Sequence, residues 1–127
     1  MPTPLFWLAR DDDELYFVNS SNDELEFVRT TSSGYATADD DVMIFGLVEL
    51  DYQNVKPNCA VKITEYTNPI VDSDFIFGAN VELKSSEFGH MKILGPSKRG
   101  GNTQAVLLWD TLESGKYVYV NNLDEEG

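Results

Sequence analysis

An all-β fold is predicted for this chain: a single-domain, mostly antiparallel β-sandwich, immunoglobulin-like or related, with about nine or ten short strands. Three observations predict it. Short runs rich in Val, Ile, Phe, Tyr and Leu recur along the chain, separated by clusters of Gly, Pro, Asn, Asp and Ser. No segment keeps a helical period over several turns. Near the start, Asp13-Glu14-Leu15-Tyr16-Phe17-Val18 is echoed ten residues later by Asp23-Glu24-Leu25-Glu26-Phe27-Val28. The length, 127 residues, suits one domain spanning residues 1–127, with residues 124–127 as a frayed tail.

Residues 5–9 form an apolar run between Pro4 and Asp11 and read as a first strand. The echo reads as a β-hairpin, with arms 15–19 and 25–31 joined through Asn19-Ser20-Ser21-Asn22. Its even offset places Leu15 with Leu25 and Phe17 with Phe27 in one strand phase, facing the core. Residues 30–41 contain Ser32-Ser33-Gly34 and end in three aspartates, and read as a loop. Residues 42–50 are a strand in which Gly46 marks a bulge or a close approach. Residues 51–54 read as a turn, and Val55-Lys56-Pro57-Asn58 as another, because Pro presets φ and Asn tolerates the left-handed region.

The strand at 60–66 is broken by Asn68-Pro69. Residues 74–84 form a longer strand in which Val81 and Leu83 oppose Glu82 and Lys84, the pattern of a sheet with one wet face. Residues 85–89 turn, and 90–94 are a short strand. Residues 95–102 read as the most flexible stretch. Residues 104–109 suit a central strand, residues 113–116 a hairpin turn, and 117–120 a last strand. The expected core is Leu5, Trp7, Leu15, Phe17, Leu25, Phe27, Ile44, Val61, Ile63, Val81, Leu83, Ile93, Val106, Leu108 and Trp109.

The net charge is −13, and it is uneven. Residues 1–55 hold twelve acids against Arg10 and Arg29, a balance of −10, while residues 56–127 carry −3. Binding to nucleic-acid phosphates or anionic membranes is disfavoured, since both need Lys and Arg. Cys59 is the only cysteine, so an internal disulfide is excluded and a reducing compartment is favoured. The N-terminal ten residues lack the basic leader and apolar length of a signal peptide, and no run approaches the ~20 apolar residues of a membrane span. A cytoplasmic location is expected.

The acidic clusters are the main candidates for function. Asp11, Asp13, Asp39, Asp41, Asp72 and Asp74 could supply oxygens to a calcium ion if their loops converge, although their spacing does not match an EF-hand. Asp12, Asp39, Asp40, Asp41, Glu24 and Glu26 could instead form a docking face for a basic protein, in the manner of an inhibitor or immunity-like protein.

Other chemistry is poorly supported. Gly95-Pro96-Ser97-Lys98-Arg99-Gly100-Gly101 lacks the Lys-Ser/Thr and the following helix of a phosphate loop. His90 and Cys59 are single residues with no catalytic signature around them. Trp7, Trp109, Tyr35, Tyr52, Tyr66, Tyr117 and Tyr119 could stack on sugars if exposed. The expectation is a small acidic, non-enzymatic protein-binding module with no cofactor. The alternatives are a calcium-dependent module or a carbohydrate-binding sandwich. Open edge strands would also permit a homodimer.

Overall fold

In the computed structural model, which describes residues 2–38, 41–65, 76–99, 102 and 104–123, the chain forms nine strands and no helix among these residues. Of residues 35–38, 41–46 and 99 the backbone alone is described. The strands are β1 (Pro4–Asp11), β2 (Glu14–Asn19), β3 (Leu25–Ala38), β4 (Asp41–Val55), β5 (Cys59–Glu65), β6 (Ile76–Ser85), β7 (Gly89–Arg99), β8 (Ala105–Trp109) and β9 (Tyr119–Asn122). All pairings are antiparallel. A four-stranded sheet runs β5-β2-β1-β8 and a five-stranded sheet runs β4-β3-β6-β7-β9. The two pack face to face around one apolar core, so the predicted β-sandwich is observed.

The echo is not a hairpin. β2 pairs with β1 and β5, whereas β3 lies in the other sheet and pairs with β4 and β6. Both edges of each arm are therefore occupied. The polar linker between them spans the ~10 Å that separates packed sheets. Its anchor is the buried Asn19 side chain. Asn19 Nδ2 donates to the carbonyls of Asp23 (3.0 Å), Val55 (3.3 Å) and Lys56 (3.2 Å), and Oδ1 accepts from Ser21 N (3.1 Å) and Ser21 Oγ (2.6 Å). Ser20 N bonds Leu5 O and Asn58 N bonds Asn19 O, both at 2.7 Å. Two sheet-crossing segments, 20–24 and 56–58, are thus held by one amide. Asn58 adopts φ 61°, as the turn reading requires.

Strand phase follows the partner strand more than the local pattern. Leu15, Phe17, Leu25, Ile63, Val81, Leu83, Ile93 and Leu108 are buried as expected. In β1, Phe6 and Leu8 are buried rather than Leu5 and Trp7. The run from Leu5 to Ala9 is apolar on both faces, so its alternation carries no phase. The register Leu8↔Phe17 sets it, and the Phe6 and Phe17 rings meet at 5.7 Å. In β3, Val28, Thr30 and Ser32 point inward, and Phe27 is half-buried outside, edge-on to His90 at 5.7 Å. Val28 stands opposite Tyr52 and Leu83, which fixes that phase. Val61 is half-buried against the core. In β8, register shifts against β1 bury Leu107 beside Leu108 and leave Val106 and Trp109 half-buried. The side chain of Ile44 lies outside the described residues.

Five segments differ from expectation. Residues 104–109 form the edge strand β8 of the four-stranded sheet and not a central strand, their apolar residues covered by the core on one side and by residues 113–115 along the edge. Residues 30–38 are strand, not loop, because β3 and β4 continue as a hairpin to Ala38↔Asp41. Gly34 there is a packing residue: a Cβ would sit 2.2 Å from the Phe77 ring. Residues 51–54 belong to β4, where outward Glu49, Asp51 and Gln53 alternate with Leu50 and Tyr52. Residues 95–99 extend β7, and Gly95 allows close passage of the Ala79 carbonyl, which a Cβ would approach to 2.4 Å. Residues 113–116 do not close a hairpin, since β8 and β9 lie in different sheets. The β3–β4 ladder slips opposite Ser33, where Gly46 and Leu47 form the bulge that Gly46 suggested. The Asn68-Pro69 break and the 124–127 tail lie outside the described residues.

Candidate functional site

The sheet crossing at Asn19, Leu25 and Val55 defines one end of the sandwich. Antiparallel pairing then sends the other ends of the same strands to the opposite pole. That pole holds the β1–β2 turn, Glu65 at the end of β5, and Ile76 beside Tyr35 and Arg99. The β3–β4 hairpin passes Ile76 on the same side. The described residues that flank Asp39, Asp40, Asp72 and Asp74 in sequence, Ala38, Asp41, Glu65 and Ile76, lie on this side. Asp39, Asp40, Asp72 and Asp74 themselves lie outside the described residues.

At this acidic pole, β1 and β2 turn over Asp12 and Asp13, between the paired residues Asp11 and Glu14. Asp12 has φ 57°, a left-handed conformation that Asp tolerates. Arg10 Nε donates to the Asp12 carbonyl at 3.1 Å and steadies the turn. The side chains of Asp11, Asp12 and Asp13 are exposed and make no ion pair among the described residues. With Glu14 and Glu65 they line an open concavity of about 460 Å³.

β2–β5 pairing sets Glu14 directly beside Glu65, a like-charge cross-strand pair. Lys62 offsets it, with Nζ 3.3 Å from Glu14 Oε2 and 2.6 Å from Glu65 Oε2. The Tyr16 hydroxyl donates to Glu14 Oε1. That hydrogen bond, with the help of Lys62, holds the Glu14 carboxyl below its ordinary range. The same bond raises the Tyr16 phenol, and the hydrogen bond to Glu65 raises the Lys62 ammonium. Glu14 is thus fixed as an anion, while the three aspartates face solvent. Tyr16 and Lys62 carry no signal in the sequence, because only the pairing of β2 with β5 brings them to Glu14.

The other expected site residues are dispersed. Asp41 pairs through its backbone with Ala38 at the acidic pole, and its side chain lies outside the described residues. Glu24 lies at the crossing end, 3.5 Å from Lys56, and Glu26 is exposed near the start of β3. Asp12 is therefore at the opposite end from Glu24 and Glu26. Among the described residues, no three His, Cys, Asp or Glu side chains are grouped to hold a metal ion.

Cys59 is exposed and opens β5 in one sheet, and His90 lies on β7 in the other, its Nε2 2.6 Å from Glu82 Oε2. Trp7 lies on the outer face of the four-stranded sheet. Its Nε1 donates to Ser20 Oγ at 2.9 Å, beside a hollow of about 400 Å³. Tyr119 is exposed on the other sheet, Tyr117 is exposed just before it, and Tyr52 is spent on the Lys62 carbonyl at 2.6 Å. No ring–ring contact joins Trp7, Trp109, Tyr52, Tyr117 and Tyr119 among the described residues. Tyr66 and the Tyr35 side chain lie outside them. No protein-family model, curated protein or solved structure matches this chain.

Proposed function

We propose that this protein is a non-enzymatic binding module that receives a basic protein partner at its acidic pole. One observation carries the reading: the exposed carboxylates of Asp11, Asp12 and Asp13 stand unpaired among the described residues, beside Glu14 and Glu65, on a tight turn between two paired strands. Unpaired, preoriented anions raise the encounter rate with a cationic surface and add specificity. Glu14, held ionised by Tyr16 and Lys62, gives this surface a charge that persists into mild acid. The chain-wide balance of −13 strengthens the same field.

The reading is tested by mapping amide chemical shifts while a small basic protein is titrated into the full chain. Shifts concentrated at residues 10–14 and 62–65, and abolished by high salt, are the expected result. Shifts scattered evenly over both ends would show charge without a site.

A further inference from the structure

We propose that the outer edge of β4 accepts an extended, basic segment of a partner protein as an added antiparallel strand. The proposal rests on the reading that the partner is basic, and it adds the mode of attachment.

Each sheet has two edges, and of the four edge strands β4 is the longest among the described residues. Along β8, Trp109 N donates to Glu113 O at 2.9 Å, Gly115 N donates to Leu107 O at 3.1 Å, and Leu108 bridges Ser114. On β5, the Tyr52 hydroxyl occupies the Lys62 carbonyl, and Lys62 is itself a cation of the kind that guards edges. β9 has only four residues. β4 has fifteen, Asp41–Val55, and among the described residues it is hydrogen-bonded in a ladder only to β3. Every second residue of such a strand turns its N–H and C=O away from the sheet. No Lys, Arg or Pro occurs anywhere in β4. Its guard is the bulge at Gly46 and Leu47, which leaves Leu47 68% exposed.

Charge selects the occupant. Glu49 and Asp51 are exposed on β4. The cation nearest them, Arg29, is shared among Asp51 (2.7 Å), Glu82 (3.8 Å) and Glu49 (4.0 Å). Lys92 and Arg29 face the small cleft beside them with Glu49 and Glu82, and His90 also bonds Glu82, so with Asp51 three carboxylates face two permanent cations, an excess of one. Two β4 strands paired about a two-fold axis would add a second set of the same carboxylates along the new ladder, and like charges across a ladder are destabilising. A segment alternating Lys with β-formers supplies both the backbone partners and the opposite charge. Its path along β4 leads from Val55 towards Asp41 at the acidic pole.

The test titrates the full chain with a synthetic peptide alternating Lys and Thr, and with the same peptide N-methylated at its central residues, which removes donors and keeps charge. Strand addition predicts that alternate amides between Leu47 and Gln53 exchange about tenfold more slowly with the first peptide at about ten times its Kd. It also predicts that the methylated peptide gives no such protection. Equal binding of both peptides, with effects confined to residues 10–14 and 62–65, would overturn strand addition and leave docking at the acidic pole standing. Binding of neither peptide at low salt would overturn both. A dimer in sedimentation with these amides already protected would make a second copy the occupant and overturn the proposal.

Discussion

The side-chain amide of Asn19 donates to the Val55 carbonyl at 3.3 Å, across 36 residues of sequence. The same nitrogen reaches the carbonyls of Asp23 and Lys56, and Oδ1 takes both donors of Ser21. Replacing Asn19 with Ala strands several buried backbone groups at once. Asn19→Ala should therefore destabilise the fold by about 2–4 kcal/mol, measured by urea unfolding with an unchanged slope. Asn19→Asp keeps one acceptor but turns a buried carboxylate oxygen towards three carbonyls, and at neutral pH it should cost at least as much as Asn19→Ala.

A second prediction concerns Thr30, which faces the core from β3. Its Oγ1 is buried and has no hydrogen-bond partner among the described residues. A buried hydroxyl without a partner is unfavourable, and Val has nearly the same shape. Thr30→Val should stabilise the protein by about 1 kcal/mol in the same unfolding measurement. A loss of stability would show that the hydroxyl has a partner after all.

The third prediction is electrostatic. The Tyr16 hydroxyl and Lys62 depress the Glu14 carboxyl from its ordinary value of 4.5. A carboxylate depressed in the folded state contributes stability above its unfolded pKa, and loses it as pH falls through the folded value. The carboxyl carbon of Glu14 should therefore titrate below 4.5 in the native chain, and Tyr16→Phe should move that midpoint upward. The mutant should correspondingly show a smaller stability difference between neutral and acidic pH. An unchanged midpoint would remove Tyr16 from the site.

Much of the architecture is legible in the sequence, and the failures share one cause. Val81-Glu82-Leu83-Lys84 alternates cleanly, and its phase and strand are as read. Asn58 signals its turn by residue type alone. Phase is lost where a run is apolar on both faces, as from Leu5 to Ala9, because only the neighbouring strand decides which side is inner. The echo misleads for a related reason. Its two copies share a local pattern, but local pattern does not specify the sheet to which a strand belongs. That choice is made by the Asn19 corner, whose carbonyl partners at Val55 and Lys56 are remote in sequence. The acidic turn at Asp11–Glu14 was visible as charge. The neighbours that order it, Tyr16, Lys62 and Glu65, depend on β2 meeting β5, which no short-range signal announces.

Docking at the acidic pole requires that the position of the negative charge, and not its total, governs binding. The decisive measurement compares the Kd of one small basic protein for the parent chain and for two variants of equal net charge. One variant carries Asp11→Asn, Asp12→Asn and Asp13→Asn at the acidic pole. The other carries Glu24→Gln, Glu26→Gln and Glu87→Gln at the crossing end, where Glu87 N donates to Asp23 Oδ2 at 3.1 Å. Docking at the acidic pole predicts that the first weakens binding by at least about tenfold, or about 1.4 kcal/mol, and that the second stays within about twofold of the parent. Equal losses in both variants would contradict it, because the interaction would then depend on total charge and not on this surface.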